Sequence, residues 1–191
     1  MNTVHFGVIK MNIKNISKEK LLLTSQDILL KEGVKGLSIR NIAKEANVSV
    51  GSIYKYFSTK LDILIELESN YWNAIISKVN GNEKLSFEET IELEYRLFLE
   101  EKSPIFNLLN HGKLFENDEL KVAIERMDYY KNQLKEIIYK AILNDKNLIH
   151  TDDLIAVKET SDLIFNTIIL DATKNSKTYK RLILLVKNYF N

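Results

Sequence analysis

The chain has 191 residues, enough for one large domain or two small ones, with 45% apolar and 28% charged residues, a globular balance that excludes a disordered chain. One proline and six glycines favour helices over a many-stranded sheet, and the absence of cysteine excludes disulfides, cysteine-based zinc sites and thiol nucleophiles. No apolar run reaches the roughly 18 residues of a membrane span, and no signal-peptide pattern opens the sequence. We therefore expect a cytoplasmic protein without a membrane partner.

Charge is distributed unevenly along the chain, although the formal net charge is only +1. Residues 10–60 contain ten basic and four acidic residues, a net charge of +6. The rest of the chain, residues 61–191, contains 17 basic and 22 acidic residues, a net charge of −5. This asymmetry is typical of a polyanion-binding module joined to a different module, although a chance distribution of solvated charges would look the same.

The N-terminal part predicts an arm followed by short helices. Residues 1–16 show no periodicity, and we expect a mobile arm there. Ser17 is placed to cap a first helix that ends at Gly33. Ser38 is placed to cap a second, short helix at Ile39–Ala46.

The junction that follows predicts a turn and a third helix. Asn47 tolerates the left-handed conformation that ends a helix, and Ser49 can cap a helix at about Val50–Phe57. The second and third helices share apolar positions that can form a small common core, with polar positions facing outward. A plain helical hairpin would show the same pattern.

The remainder continues with helical periodicity. The predicted helix starts share a capping residue or pair: Ser58 or Thr59, Ser86 with Glu89, Ser103 with Pro104, Asn117 or Asp118, Thr151, and Ser176. These helices are expected to end near Val79, Glu101, Gly112, Asn144, Thr173 and Phe190. The sequence thus predicts an all-α protein of about nine helices, without internal repeats or a glycine-rich phosphate loop.

Residues 18–64 resemble the DNA-binding domain of the TetR family, the tetracycline-repressor-like bacterial regulators. The matching runs are GVKGLSIRNIA at 33–43 and ANVSVGSIYKYF at 46–57, followed by Lys60 and Leu64. The resemblance implies an N-terminal three-helix helix-turn-helix domain at 17–60, after the arm. It also implies a C-terminal helical ligand-binding and dimerisation bundle at 61–191.

The candidate DNA-binding residues lie in or beside these matching runs. Ser38 lies at a helix N-terminus that favours phosphate, and Gly51 allows close backbone approach to the major groove. The resemblance implies that Tyr54 and Tyr56 touch the DNA backbone and that Lys60 pairs with phosphate. The full set is Ser38, Arg40, Ser49, Val50, Gly51, Ser52, Tyr54, Lys55, Tyr56 and Lys60.

Two positions depart from the commonest family pattern. Asn47 replaces the usual glycine, a change that the left-handed conformation tolerates. Val50 stands where a long polar or basic side chain is frequent, and its methyl groups can contact only a thymine methyl. We therefore expect Arg40, Ser52 and Lys55 to carry the direct readout of sequence.

The acidic body is rich in aromatic residues, which suits a cavity for a largely apolar ligand, although most of these rings must be ordinary core. The candidate cavity walls are Trp72, Tyr95, Phe98, Phe106, Tyr129 and Phe165, and the candidate polar anchors are His111 and Asn166. The last two predicted helices carry more apolar residues than one bundle face needs. The candidate dimer interface is Leu163, Ile164, Ile168, Leu182, Leu185, Val186 and Tyr189.

Together these features predict a homodimeric repressor that a small-molecule effector releases from a pseudo-palindromic double-stranded DNA operator. A ligand-independent DNA-binding or interaction protein of the same fold is the alternative, and it predicts a tightly filled body. A helical enzyme is disfavoured, because three scattered histidines and no H-E-x-x-H motif provide neither a metal site nor a nucleophile. We expect no catalytic residue, metal or cofactor.

Overall fold

A computed structural model of the chain describes residues 16–82, 84–100, 117–148 and 153–190, the side chains of 117–124 excepted. These ranges contain eight α-helices and no strand, which confirms the all-α prediction. The helices are α1 (Lys18–Gly36), α2 (Ile39–Glu45), α3 (Val50–Tyr54), α4 (Lys60–Asn80), α5 (Phe87–Glu100), α6 (Asn117–Asn144), α7 (Leu154–Lys174) and α8 (Tyr179–Tyr189). The helix expected after Ser103 and nearly all of the expected arm lie outside the described residues.

Two compact units make up the chain, with the boundary between Ile63 and Leu64. The first unit contains α1, α2, α3 and the first residues of α4, and the second contains the rest of α4 and the later helices. Within the described ranges, every helix is too short or too polar to cross a membrane.

Serine caps begin α1, α2 and α3, as the sequence predicts. The hydroxyl oxygens of Ser17, Ser38 and Ser49 accept hydrogen bonds from the backbone N–H three residues later, at 3.2, 3.1 and 3.2 Å. Each bond satisfies an N–H group that the helix itself leaves unpaired. Gly33 has a φ of 69°, a conformation without steric penalty for glycine, and interrupts α1 where the helix was expected to end.

The third helix is shorter than predicted, because α3 ends at Tyr54 rather than at Phe57. The backbone N–H groups of Tyr56 and Phe57 both donate to the Ile53 carbonyl, at 2.9 and 3.0 Å, and so tighten the last turn. This turn buries the Phe57 ring, which is 2% exposed, and the Lys18 ammonium lies 5.6 Å from its centroid.

Capping boxes start two helices. The Glu89 N–H donates to the Ser86 hydroxyl at 3.3 Å, and the Ser86 N–H donates to the Glu89 carboxylate at 2.9 Å, as the sequence predicts for α5. Thr59 and Asp62 form the same reciprocal pair at the start of α4, with bonds of 3.1 and 2.9 Å. The bonds from Ser86 also hold the pKa of Glu89 below its ordinary value.

The start of α7 differs from the prediction. Asp153 is its N-cap, and its carboxylate accepts a hydrogen bond from the Ala156 N–H at 3.0 Å. Thr151, the predicted cap, lies outside the described residues. Aspartate is a somewhat better N-cap residue than threonine, which agrees with the start at Asp153.

The start of α8 also differs, because Thr178 and not Ser176 is its N-cap residue. The hydrogen-bond acceptor comes from the end of α7, where the buried Asp171 carboxylate accepts from the Tyr179 N–H at 2.7 Å and from the Ser176 hydroxyl at 2.6 Å. These bonds lower the pKa of Asp171 despite the opposing effect of burial.

One apolar core fills the second unit. Helix α5 packs against α6 and α7, α6 packs against α7, and α7 packs against α8. The most deeply buried core side chains are Trp72, Ile75, Phe87, Ile91, Leu134, Ile138, Ile164, Phe165 and Ile168. A second buried carboxylate, that of Asp145, accepts from the Phe87 N–H at 2.9 Å and fastens the start of α5 to the end of α6.

Candidate functional site

A tight turn joins α2 to α3 in the first unit. Asn47 adopts the left-handed conformation with a φ of 55°, as predicted, and the Val48 N–H donates to the Ala43 carbonyl at 2.9 Å. Ile42 and Ile53, one from each helix, are completely buried. The two helices therefore form a helix-turn-helix whose apolar faces are closed against their own unit.

The outer face of α3 carries exposed apolar side chains. Val50 is 38% exposed and Tyr54 is 55% exposed, although both belong to a helix whose inner residue Ile53 is buried. Exposed apolar side chains on adjacent turns form a small apolar patch on the surface of this unit. This face is therefore suited to contact another molecule.

Gly51 lies on the same face and has no steric reason to be glycine. A Cβ atom added there would meet only the Ser49 hydroxyl, at an ordinary distance of 3.8 Å. Glycine inside a helix costs about 0.5–1 kcal/mol relative to alanine. The glycine therefore leaves room outside the chain, next to Val50 and Tyr54.

Ser49 and Ser52 supply hydroxyl groups at the edge of this face. Their oxygens lie 2.9 Å apart within one hydrogen bond, and Ser49 also caps α3. Ser49 is thus engaged by its own helix. Arg40 and Lys55 are exposed, and these two cations lie on α2 and just after α3.

Two predicted DNA contacts, Tyr56 and Lys60, also hold the unit together. The Tyr56 hydroxyl donates to the Ile16 carbonyl at 2.8 Å, next to the start of α1. The Lys60 ammonium donates to the Val34 carbonyl at 2.7 Å, and partial burial lowers its pKa. The sequence pattern gave no indication of either bond, because the partners lie far apart along the chain.

In the second unit, three of the predicted cavity walls form a row of rings, and a fourth, Tyr95, lies on the same helix as one of them. The Trp72 and Phe98 ring centroids lie 5.8 Å apart, and those of Phe98 and Phe165 lie 6.2 Å apart, both in edge-to-face geometry. The Tyr95 ring packs against the Tyr179 ring in tilted geometry, with the centroids 4.5 Å apart, and the Tyr95 hydroxyl donates to the Ser176 carbonyl. All four predicted residues are at most 7% exposed and belong to the core.

The other predicted ligand residues do not join this group. Tyr129 is 63% exposed and Asn166 is exposed as well, so neither lies on an internal wall with the buried rings. Both residues were expected on the buried face of their helix, but each lies just beside that face. Phe106 and His111 lie outside the described residues.

Sequence reasoning missed two buried acids, Glu68 and Glu94, in this core. Glu68 accepts a hydrogen bond from the Trp72 indole N–H, and burial raises its pKa to about 7 against the lowering effects of Trp72 and Lys131. Glu94 is completely buried, which raises its pKa well above the ordinary value. Within the described residues, the second oxygen of Glu68 and both oxygens of Glu94 have no hydrogen-bond partner. Both glutamates lie between apolar residues in the sequence, and this pattern was the available sign that they are buried.

The predicted dimer residues divide into two sets. Ile164, Ile168 and Val186 are at most 7% exposed and belong to the core of their own chain, and Val186 also borders the groove described below. Leu163, Leu185 and Tyr189 are 56%, 61% and 73% exposed, and Leu182 is half-buried. The buried and exposed residues alternate along the same helices, so composition alone could not separate them.

An open groove of about 630 Å³ lies between α7 and α8, and Leu163, Leu182, Leu185 and Tyr189 line it. Other exposed apolar residues on these two helices, which sequence reasoning missed, are Leu154, Ile155, Leu170 and Leu184. In the described part of the chain, no cluster of three or more histidine, aspartate or glutamate side chains could hold a metal ion.

Comparison with known proteins places the first unit in a family. The sequence model described as "Bacterial regulatory proteins, tetR family" matches residues 21–67, which include the whole helix-turn-helix. The uncharacterized HTH-type transcriptional regulator YerO of Bacillus subtilis is 27% identical over 133 residues, covering 63% of this chain. The chain spans less than half the length of the curated relatives that it matches first, 40% and 46%.

Solved structures show the same fold over most of the chain. The fatty acid degradation regulator FadR of Bacillus halodurans has a TM-score of 0.64 at 22% identity, with 90% of this chain and 98% of that chain covered. FadR of Bacillus subtilis, solved in complex with stearoyl-CoA, has a TM-score of 0.62 at 18% identity, with 89% and 97% covered. The helix-turn-helix unit of this chain therefore matches the sequence model of the tetR family of bacterial regulatory proteins, and the likeness of the rest of the chain is one of fold.

Proposed function

We propose that this transcriptional regulator is a homodimeric repressor that binds a pseudo-palindromic operator and leaves it when a small effector occupies the body. The outer face of α3 carries the proposal. Val50, Gly51 and Tyr54 form an exposed strip that the fold of the unit does not require. A helix of this kind fits the major groove, where a backbone without a Cβ atom approaches the bases closely.

The proposed DNA contacts form two groups, those to the edges of bases and those to phosphates. Arg40, Ser52 and Lys55 are the proposed readers of base edges, and Val50 contacts a thymine methyl. Tyr54 and Lys60 contact phosphates. Lys60 is held by the Val34 carbonyl, and its remaining N–H groups supply a fixed cation at the start of α4.

The groove between α7 and α8 is the proposed dimer interface. Its exposed leucines and Tyr189 would be covered by the same two helices of a second chain, in a two-fold arrangement. Such a dimer spaces two recognition helices to fit two half-sites.

The effector site is proposed in the body, beside the ring row that comprises Trp72, Phe98 and Phe165. The stearoyl-CoA complex of the Bacillus subtilis FadR, a protein of the same fold, makes long-chain acyl compounds one class to test. Ligand binding there would move α4, whose first residue, Lys60, contacts DNA. A coupling of about 1–3 kcal/mol is typical of such switches.

The test begins with selection of genomic fragments by the purified protein, followed by fluorescence anisotropy on the selected duplex. We expect a two-fold-related site, salt-dependent binding, and loss of affinity for every sequence in Tyr54→Ala. Failure to bind any fragment at low salt would contradict the DNA-binding role. If an effector that binds the body leaves operator affinity unchanged, the release mechanism is wrong.

A second candidate is a regulator of the same fold that needs no ligand. The observation in its favour is the burial of all four described wall residues, which are at most 7% exposed. It predicts that none of the acyl compounds, alcohols or amines in a screen shifts the thermal midpoint of the protein or its operator affinity.

A further inference from the structure

The start of α1 is fastened to the end of α3 by two contacts. The Tyr56 hydroxyl donates to the Ile16 carbonyl at 2.8 Å, and the Lys18 ammonium lies 5.6 Å from the centroid of the Phe57 ring. Tyr56 and Phe57 lie only two and three residues past the end of α3, the helix that carries the exposed strip. The residues that precede Ile16 are therefore attached to the chain beside the proposed DNA face.

The hydrogen-bonding capacity of Tyr56 limits what its side chain can do on DNA. A phenol has one O–H group, and the Ile16 carbonyl accepts the hydrogen bond from it. Because the backbone phosphate oxygens of DNA act as acceptors, a hydroxyl that donates to Ile16 cannot also donate to a phosphate. Lys60 differs, since its ammonium has three N–H groups and donates only one of them to the Val34 carbonyl. The geometry of Tyr56 therefore fits a residue that positions the neighbouring segment.

The segment that Tyr56 positions is basic. Residues 10–16 contain two lysines, Lys10 and Lys14, and no acidic residue, and both lysines lie outside the described residues. Covalent geometry limits the Cα atom of Lys14 to about 7 Å from that of Ile16, and the four-carbon lysine stem extends the reach of the ammonium. A helix in the major groove, which is about 12 Å wide, has a phosphate backbone on each side. Lys14 can therefore reach a phosphate when α3 occupies the groove.

We infer that the segment before α1 is a further DNA contact, in which Lys14 pairs with a backbone phosphate and Tyr56 is a positioning residue that holds Ile16. This inference deepens the DNA-binding role proposed above and rests on it, because it requires α3 to lie in the groove. A phosphate contact carries no information about the base sequence. Lys14 should therefore add affinity and salt dependence to binding at every sequence.

The test measures the affinity of the full chain for the selected duplex by fluorescence anisotropy at several salt concentrations. Lys14→Gln should make the slope of log K against log salt concentration shallower by about 0.9 for each bound protomer, which weakens binding about eightfold per protomer at ~0.1 M salt. Lys14→Arg keeps the charge and should keep the slope. The matched control is Lys146→Gln, the same loss of charge at an exposed position of the body, which should leave the slope unchanged.

The positioning role of Tyr56 is tested by a double-mutant cycle. Tyr56→Phe keeps the ring and removes the hydroxyl that bonds to Ile16, so the variant should fold, and thermal unfolding checks this. We expect Tyr56→Phe to make the salt slope shallower, although no charge is lost, because Lys14 is no longer held beside the phosphate. The loss of affinity caused by Lys14→Gln should then be at least about twofold smaller in the Tyr56→Phe background than in the parent chain.

Identical salt slopes in Lys14→Gln, Lys146→Gln and the parent chain would overturn the inference and leave the proposed function standing. Additive effects in the cycle, or weaker binding by Tyr56→Phe without a change in slope, would reject the positioning role, because a neutral hydroxyl that touched phosphate directly would behave in that way. A parent chain that binds no duplex would reject the proposed function and this inference with it. The two failures are therefore distinguishable.

Discussion

The two units of this chain satisfy their polar groups in different ways. In the helix-turn-helix unit, Ser17, Ser38 and Ser49 cap helices through bonds that span three residues. In the body, Asp145 and Asp171 fasten helix ends that belong to other helices, and Asp145 reaches Phe87 across 58 positions. The helices α1, α2 and α3 are therefore capped by residues next to them, whereas the body also uses carboxylates from other helices.

The units also differ in where they place residues that stability does not explain. The first unit exposes an apolar strip on α3, around Gly51. The body instead buries Glu68 and Glu94 in its core and exposes leucines on α7 and α8. Buried unpaired acids lower the stability of an isolated chain, and exposed apolar strips contribute little to it. Such residues are where contacts with other molecules are expected.

The largest expected effect concerns the exposed face of the body. Leu163→Glu places a charge in the groove between α7 and α8, and we expect it to convert dimers into monomers and to weaken operator binding at least about 100-fold, because two half-sites are then bound independently. Sedimentation and anisotropy measure the two effects. Leu30→Glu on α1, where the leucine is 60% exposed, is the matched control. A dimeric Leu163→Glu variant would contradict the proposed interface.

The next prediction contrasts long-range and local caps. Asp171→Ala leaves the Tyr179 N–H and the Ser176 hydroxyl without their acceptor, and we expect a loss of about 3 kcal/mol in the free energy of unfolding. Ser38→Ala removes one local cap and should cost about 1 kcal/mol. Urea unfolding measures both. Equal losses in the free energy of unfolding would contradict the expected difference between the long-range cap and the local cap.

The buried acids predict how stability depends on pH. The pKa of Glu68 rises from 4.5 to about 7 in the folded chain, so the folded state binds a proton that the unfolded state releases. Stability should therefore fall by up to about 3 kcal/mol as the pH rises from about 4.5 to about 7. Burial shifts the pKa of Glu94 in the same direction.

Asp145 and Asp171 have lowered pKa values, so their contributions are lost only as the pH falls below the ordinary aspartate value of 3.8, outside this window. Urea unfolding across the window should give a shallower pH dependence for Glu68→Gln than for the parent chain. Identical slopes would show that Glu68 is not protonated in the folded state.

The smallest expected effect concerns Gly51. Gly51→Ala should raise the free energy of unfolding by about 0.5–1 kcal/mol, because the added Cβ atom meets no close neighbour and alanine favours a helix. The same Cβ atom should weaken operator binding by ~1 kcal/mol, since it intrudes between α3 and the groove. Gly33→Ala provides the contrast: its φ of 69° predicts lower stability. Unchanged operator affinity in Gly51→Ala would contradict the proposal that α3 contacts the DNA groove.

Much of the first unit could be predicted from sequence. The caps, the left-handed Asn47 and the buried Ile42 and Ile53 all follow from signals within a few residues. The bonds from Tyr56 to Ile16 and from Lys60 to Val34 could not be predicted, because each joins segments that only the folded chain brings together.

In the body, the sequence by itself determined that the chain is helical and where most helices begin, because propensity, period and capping act over one or two turns. Only the tertiary structure decided which faces are inside. It buried Ile164, Ile168 and Val186, left Leu163 and Leu185 exposed, and enclosed Glu68 and Glu94 among apolar side chains. The physical reason is that burial depends on the neighbouring helices, and a helical period shows only that a face exists, not what covers it.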